Sequence, residues 1–143
     1  LVAEDDHDGS TLVAVYERSG VTDADTVTVG SPGIDSVTLS TFRNVTTVSP
    51  AVYSTADEGV AENTAEWAGT TIAADDTMLV VVPWATYRTP QSADVMAMAW
   101  GDFGGAGIAV AYALADAGPF GPVTFTLNAS SSGLEVTELR LTA

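Results

Sequence analysis

Short runs of alternating apolar and polar residues, separated by clusters of Gly, Pro, Asp and Ser, recur along the whole chain. Alternation with a period of two marks a half-buried strand, because successive side chains leave a strand on opposite sides. This pattern predicts strands at residues 11–17 (Leu12, Ala14 and Tyr16 against Val13, Val15 and Glu17), 26–29, 36–42, 123–127 and 134–141. Residues 44–53 read as extended and broken at Pro50. The unbroken apolar run Met78 to Val82 predicts a strand buried on both faces. Pro83 is expected to interrupt that strand and turn Trp84 to Arg88 onto an edge or bulge. Three stretches lack a strand pattern: residues 4–9 read as a loop, 55–69 as helix or loop, and 117–122 as a rigid turn.

The segment 95–115 carries the most information. Met96, Met98 and Trp100 alternate with Ala97 and Ala99, and Ile108, Val110, Tyr112 and Leu114 alternate with Ala109, Ala111, Ala113 and Ala115. A glycine-rich loop, Gly101 to Gly107, joins the two arms. Alanine is the best helix former, but period-two alternation on both arms and the glycines between them predict a β-hairpin. The expectation is a bulky face turned to the core and an alanine face left for close approach of another layer or subunit. The fold expected overall is all-β: a single-domain antiparallel β-sandwich, jelly-roll or Ig-like, over residues 1–143, with 1–10 as an acidic terminal segment. No internal repeat and no long linker divides the 143 residues.

Composition changes this picture in one respect. The chain has no lysine, four arginines (Arg18, Arg43, Arg88 and Arg140) and 19 carboxylates, for a formal net charge of -15. Concentrated salt makes such a surface tolerable, since the Debye length falls to about 3 Å at 1 M, and the carboxylates keep it hydrated. In this avoidance of lysine and excess of acid the chain resembles proteins of haloarchaea and of their viruses, and that resemblance implies a virion or cell-surface structural protein in brine. With 46% hydrophobic residues the chain has enough apolar side chains for a core, which sets it apart from acidic disordered chains. Nucleic acid is not an expected partner, because four scattered arginines cannot neutralise a phosphate track. Membrane insertion is not expected either, since no stretch approaches the roughly 20 apolar residues of a spanning helix.

Candidate chemistry is sparse. The chain has no cysteine, no lysine and no G-x-S-x-G elbow, and its one histidine, His7, lies in the acidic terminal segment. Asp5, Asp6 and Asp8 beside Gly9 are the candidate metal ligands, hard oxygens suited to Ca²⁺ or Mg²⁺ but without the EF-hand's final Glu. The plainer reading is a solvated acidic end. Gly101 to Gly107 lacks the Lys-Ser/Thr of a phosphate-binding loop and reads as a hairpin tip. Asn44-Val45-Thr46 and Asn128-Ala129-Ser130 match the glycosylation sequon.

These features together point to a non-enzymatic subunit of an extracellular assembly in high salt, on a virion or cell surface: a coat, decoration or tail-tube protein of a virus of a halophilic archaeon. Its expected partners are copies of itself and other structural proteins of the assembly. The expected subunit contacts are Ala97, Ala99, Ala109, Ala111 and Ala113 with the four arginines. Two alternatives stand beside it. One is a surface-filament or pilus subunit assembled by strand complementation through 134–141 or 1–16. The other is a carbohydrate- or receptor-binding module using the tryptophans and tyrosines.

Overall fold

The computed structural model describes residues 3–7, 11–15, 40, 42–59, 61–86, 88–102, 106–129 and 133–143. The predicted strand at 26–29 and most of that at 36–42 lie outside them; Ser40 and Phe42 are not in a strand. The chain divides into two compact units, 1–34 and 35–143. In the first, β1 (Ala3–His7) pairs antiparallel with β2 (Thr11–Val15), Asp5 opposite Val13 and Asp6 opposite Leu12. Residues 4–7, expected in a loop, are therefore strand: the neighbouring 11–15 run supplies a partner ladder that local polarity does not reveal.

The second unit is all strand among its described residues. Its elements are β3 (Thr47–Val48), β4 (Val52–Glu58), β5 (Thr64–Trp67), β6 (Thr70–Ile72), β7 (Thr77–Thr86), β8 (Pro90–Ala93), β9 (Ala97–Asp102), β10 (Ala106–Ala115), β11 (Gly118–Phe120), β12 (Val123–Leu127) and β13 (Leu134–Thr142). The pairing is nested. β4 pairs with β13, β5 with β12, β6 with β11 and β7 with β10, all antiparallel, and the turn between β8 and β9 is the tip. This long ribbon is folded back on itself, so that β13 lies between β4 and β7, and β12 between β5 and β8. Four strands run β4-β13-β7-β10 and a second set runs β5-β12-β8, linked at the edges by β4 to β5 and by β10 to β9. Nested pairing of eight main strands in this order defines a jelly roll.

The ribbon changes direction between β5:β12 and β6:β11 without changing register. Trp67 is opposite Val123, Thr70 is opposite Phe120, and the residues facing each other between them are Gly69 and Gly121. Both have left-handed φ, +87° and +111°, and a Cβ on Gly121 would lie 2.7 Å from the Gly69 Cα. Only glycine allows two backbones to cross this closely in that conformation. The bend brings Ile72 into the core, 2% exposed, with Phe120 packed against it.

Inside the jelly roll, Phe125, Val123, Leu79, Val81, Val136, Ala65 and Trp67 form one apolar cluster. The indole N–H of Trp67 donates to Ser54 Oγ at 3.0 Å, which satisfies its one donor. β7 is buried on both faces, as the sequence predicts: Leu79 and Val81 face inward, and Val80, Val82 and Trp84 are buried on the other side. Pro83 does not end it. The strand runs to Thr86 with Pro83 opposite Val136, and the ladder to β10 simply omits Ala109 and Val110, beside the missing N–H. Pro50 does break its strand, as expected. The register to β13 shifts between β3 and β4, and Ser49 bridges the gap, its Oγ accepting the Arg140 N–H at 2.9 Å.

Of residues 55–69, expected as helix or loop, 55–58 belong to β4 and 64–67 to β5, while 59, 61–63, 68 and 69 are not strand; only Ala56 of β4 is buried, so its strand pattern is faint. Gly118–Phe120, expected in a turn, is the short strand β11.

Candidate functional site

The predicted hairpin is present: β9 and β10 pair with Tyr112 opposite Ala97 and Ala111 opposite Met98. On the β9 arm the faces are as expected, with Met96 in the core, Met98 packed against it and Ala97 exposed; on β10 they are the reverse of the expectation. Ala109 and Ala111 are fully buried, Ala115 is 5% exposed, and Ala113 packs on the core. Tyr112 and Leu114 point outward at 38% and 63% exposure. The reason is register. A bulky residue of one arm sits opposite an alanine of the other, so Met98, packed against the core, takes the space that Ala111 leaves. Ala109, Ala111 and Ala113 thus serve the chain's own core rather than a neighbour's surface. Ala97 alone of the expected alanine contacts is seen on the exposed side; the Ala99 side chain lies outside the description.

The outward face of the hairpin carries a strip without charge. β9 pairs with β10 as far as Ala97, which is exposed beside Tyr112. On the other flank Leu114 is opposite Met78, which is half-buried. The strip is therefore Tyr112, Ala97 and Leu114, bordered by Met78. The Phe42 ring meets Tyr112 edge-on, centroids 6.2 Å apart at 81°. Asp116, just past the end of β10, is exposed. Nearby carboxylates hold backbone: Asp75 Oδ1 accepts the Ala117 N–H at 2.9 Å, and Asp94 Oδ1 accepts the Thr124 N–H at 3.0 Å.

The arginines do not act alike. Arg140 is used inside its own chain: its Nε donates to Glu138 Oε1 at 2.7 Å and a terminal nitrogen donates to Thr70 Oγ1 at 2.8 Å. Glu138 is 3% exposed, so this guanidinium is the counter-charge of a buried carboxylate and ties β13 to β6. That corrects its expected place at a subunit contact. Arg88 is half-buried, at an isolated bridge with Ala85. Arg18 lies outside the described residues.

Of the candidate metal ligands, Asp5 and Asp6 lie in the extended strand β1 rather than in a ligand-wrapping loop, and Asp8 lies outside the described residues. Among the described residues, no group of three or more His, Asp or Glu is placed to hold a metal ion. Trp67 and Trp84 are core residues, each 2% exposed, and line no exposed aromatic face. Sequon residues Asn44 and Asn128 are both exposed, and the Asn128 Oδ1 accepts the Thr89 N–H at 2.9 Å. No helix among the described residues is long and apolar enough to cross a membrane.

Comparison of the chain with protein-family models, with curated proteins and with solved structures finds no match.

Proposed function

We propose that this jelly roll is a non-enzymatic building block of an extracellular assembly that works in concentrated salt, a coat, decoration or tail-tube subunit of a virus of a halophilic archaeon. The observation that carries the reading is the strip of Tyr112, Leu114 and Ala97, open to solvent on a chain of net charge -15. Contiguous exposed apolar side chains on an otherwise charged surface mark contact with another macromolecule. The acidic remainder supports the salt setting. Asp57 and Glu66 face each other directly across β4 and β5, an arrangement that self-repulsion opposes in dilute buffer. The jelly roll is itself shared by viral shells, lectins and other proteins, so the fold adds only an analogy.

The filament reading loses one of its two candidate donor strands. β13 is hydrogen-bonded along both edges, to β4 and β7, and cannot leave to complete a neighbour's sheet without dismantling its own. The carbohydrate reading loses Trp67 and Trp84 to the core. Electron microscopy of the protein purified in molar salt tests the proposal: regular shells or tubes are the expected result, and dispersed single molecules at all concentrations would overturn it.

A further inference from the structure

Resting on the extracellular setting of that reading, we infer that Asn44 is the acceptor of an N-linked glycan, supplied as a sugar chain carried on a lipid phosphate. The sequence offers two sequons, Asn44-Val45-Thr46 and Asn128-Ala129-Ser130. The fold treats them differently.

Asn44 lies in a bend outside any strand, between two anchors. On one side the Phe42 ring meets Tyr112 edge-on. On the other the Thr46 N–H donates to the Thr142 carbonyl at 2.9 Å, just before β3 begins. Asn44 and Thr46 are both exposed, so the two side chains that a transferase reads stand on open surface. Among the described residues nothing holds the Asn44 carboxamide. The Thr46 hydroxyl donates one long hydrogen bond, 3.3 Å, to the same Thr142 oxygen, which the backbone N–H already satisfies, so its release orphans nothing. Left-handed backbone at Asn44, φ +60°, accounts for the Asn but not for the Thr two residues on.

Asn128 is already committed. Its Oδ1 accepts the Thr89 N–H at 2.9 Å, and its own N–H donates to the Thr89 carbonyl at 3.1 Å. Thr89 is 2% exposed, so turning that carboxamide away would leave a buried N–H unpaired. The chemistry makes this decisive. An amide nitrogen shares its lone pair with the carbonyl and is a poor nucleophile while planar. The transferring enzyme must therefore grip and turn the whole carboxamide, and only Asn44 is free to turn. Its Nδ2 attacks the anomeric carbon of the lipid-linked sugar. The C–N bond forms as the C–O bond to phosphate breaks, the lipid phosphate leaves with the electron pair, and Nδ2 gives up one proton. The product is a bulky, solubilising group on the surface.

Peptide mass spectrometry of the full chain exported by a halophilic archaeal host tests the inference. The Asn44 peptide is expected to exceed its sequence mass by a whole number of sugar residues. Thr46→Ala is expected to abolish the added mass and Thr46→Ser to keep it. Both variants leave Asn44 in place, and circular dichroism is expected to stay that of the wild type, so the loss reports recognition rather than folding. Asn128→Gln is expected to leave the Asn44 mass unchanged. An Asn44 peptide at its bare sequence mass, added mass that survives Thr46→Ala, or a glycan on Asn128 in place of Asn44 overturns the inference. A bare chain that still assembles in molar salt overturns this inference alone. A glycosylated chain that stays monomeric leaves it standing and overturns the assembly reading.

Discussion

Asp57 and Glu66 stand directly opposite each other in the short ladder that joins β4 to β5, and both are exposed. Like charges at this spacing oppose pairing by about 0.2–1 kcal/mol in dilute buffer, and salt removes most of that cost. Glu66→Gln keeps the shape and deletes the charge. Thermal unfolding should show a higher Tm for this variant in dilute buffer and no difference in molar salt. An equal gain at both salt levels would mean that the effect is not electrostatic.

The glycine pair at the corner gives a sharper stability test. A methyl group on Gly69 would run into the Phe120 carbonyl oxygen, at a φ of +87° that side chains rarely adopt. Gly69→Ala should cost about 3 kcal/mol or more, from backbone strain plus the clash. Gly118, at φ +131°, has nothing within 4 Å of its virtual Cβ, so Gly118→Ala should cost the backbone strain alone, about 1–3 kcal/mol, and less than Gly69→Ala. Denaturant midpoints of the two variants in molar salt check the ordering.

Removing Arg140 leaves the Glu138 carboxylate buried without its counter-charge. Breaking a fully buried pair costs about 3–5 kcal/mol. The Arg140 side chain keeps 30% of its exposure, which lowers the expectation for Arg140→Met to about 2 kcal/mol. The double variant Arg140→Met with Glu138→Leu should recover most of the loss, because the orphaned charge is gone. Additive losses in chemical denaturation would contradict the pair.

Thr137 is 1% exposed, and its hydroxyl has no hydrogen-bond partner among the described residues. Thr137→Val replaces a buried, unsatisfied hydroxyl with a methyl of the same shape. It should raise the denaturant midpoint, by about 1 kcal/mol of stability. A loss would show that the hydroxyl is satisfied in solution.

The strands that announced themselves in the sequence were those whose own side chains alternate or run apolar: β7, β10, β12 and β13. β4 stayed hidden because only Ala56 of its seven residues is buried, and its pairing to β13 is a relation over about eighty positions that no local pattern carries. The error over the alanines has a physical cause as well. Alternation tells that β10 has two unlike faces, but the register against β9 decides which one points inward, and that register puts Met98 beside Ala111. Of the exposed strip, Tyr112 and Leu114 were legible only as bulky residues assigned to the core, while Ala97 was expected on the outer face. Arg140 looked like any surface arginine until β13 placed it two residues from the buried Glu138.

The most direct test of the central claim is a mass measurement by light scattering as molar salt is exchanged for dilute buffer, with circular dichroism recorded on the same samples. Screened copies should form a species of defined mass larger than the 14.6 kDa chain, and that mass should fall as salt is withdrawn while the β-sheet signal is still intact. A single-chain mass at both ends of the titration, or an assembly indifferent to salt, would contradict the account.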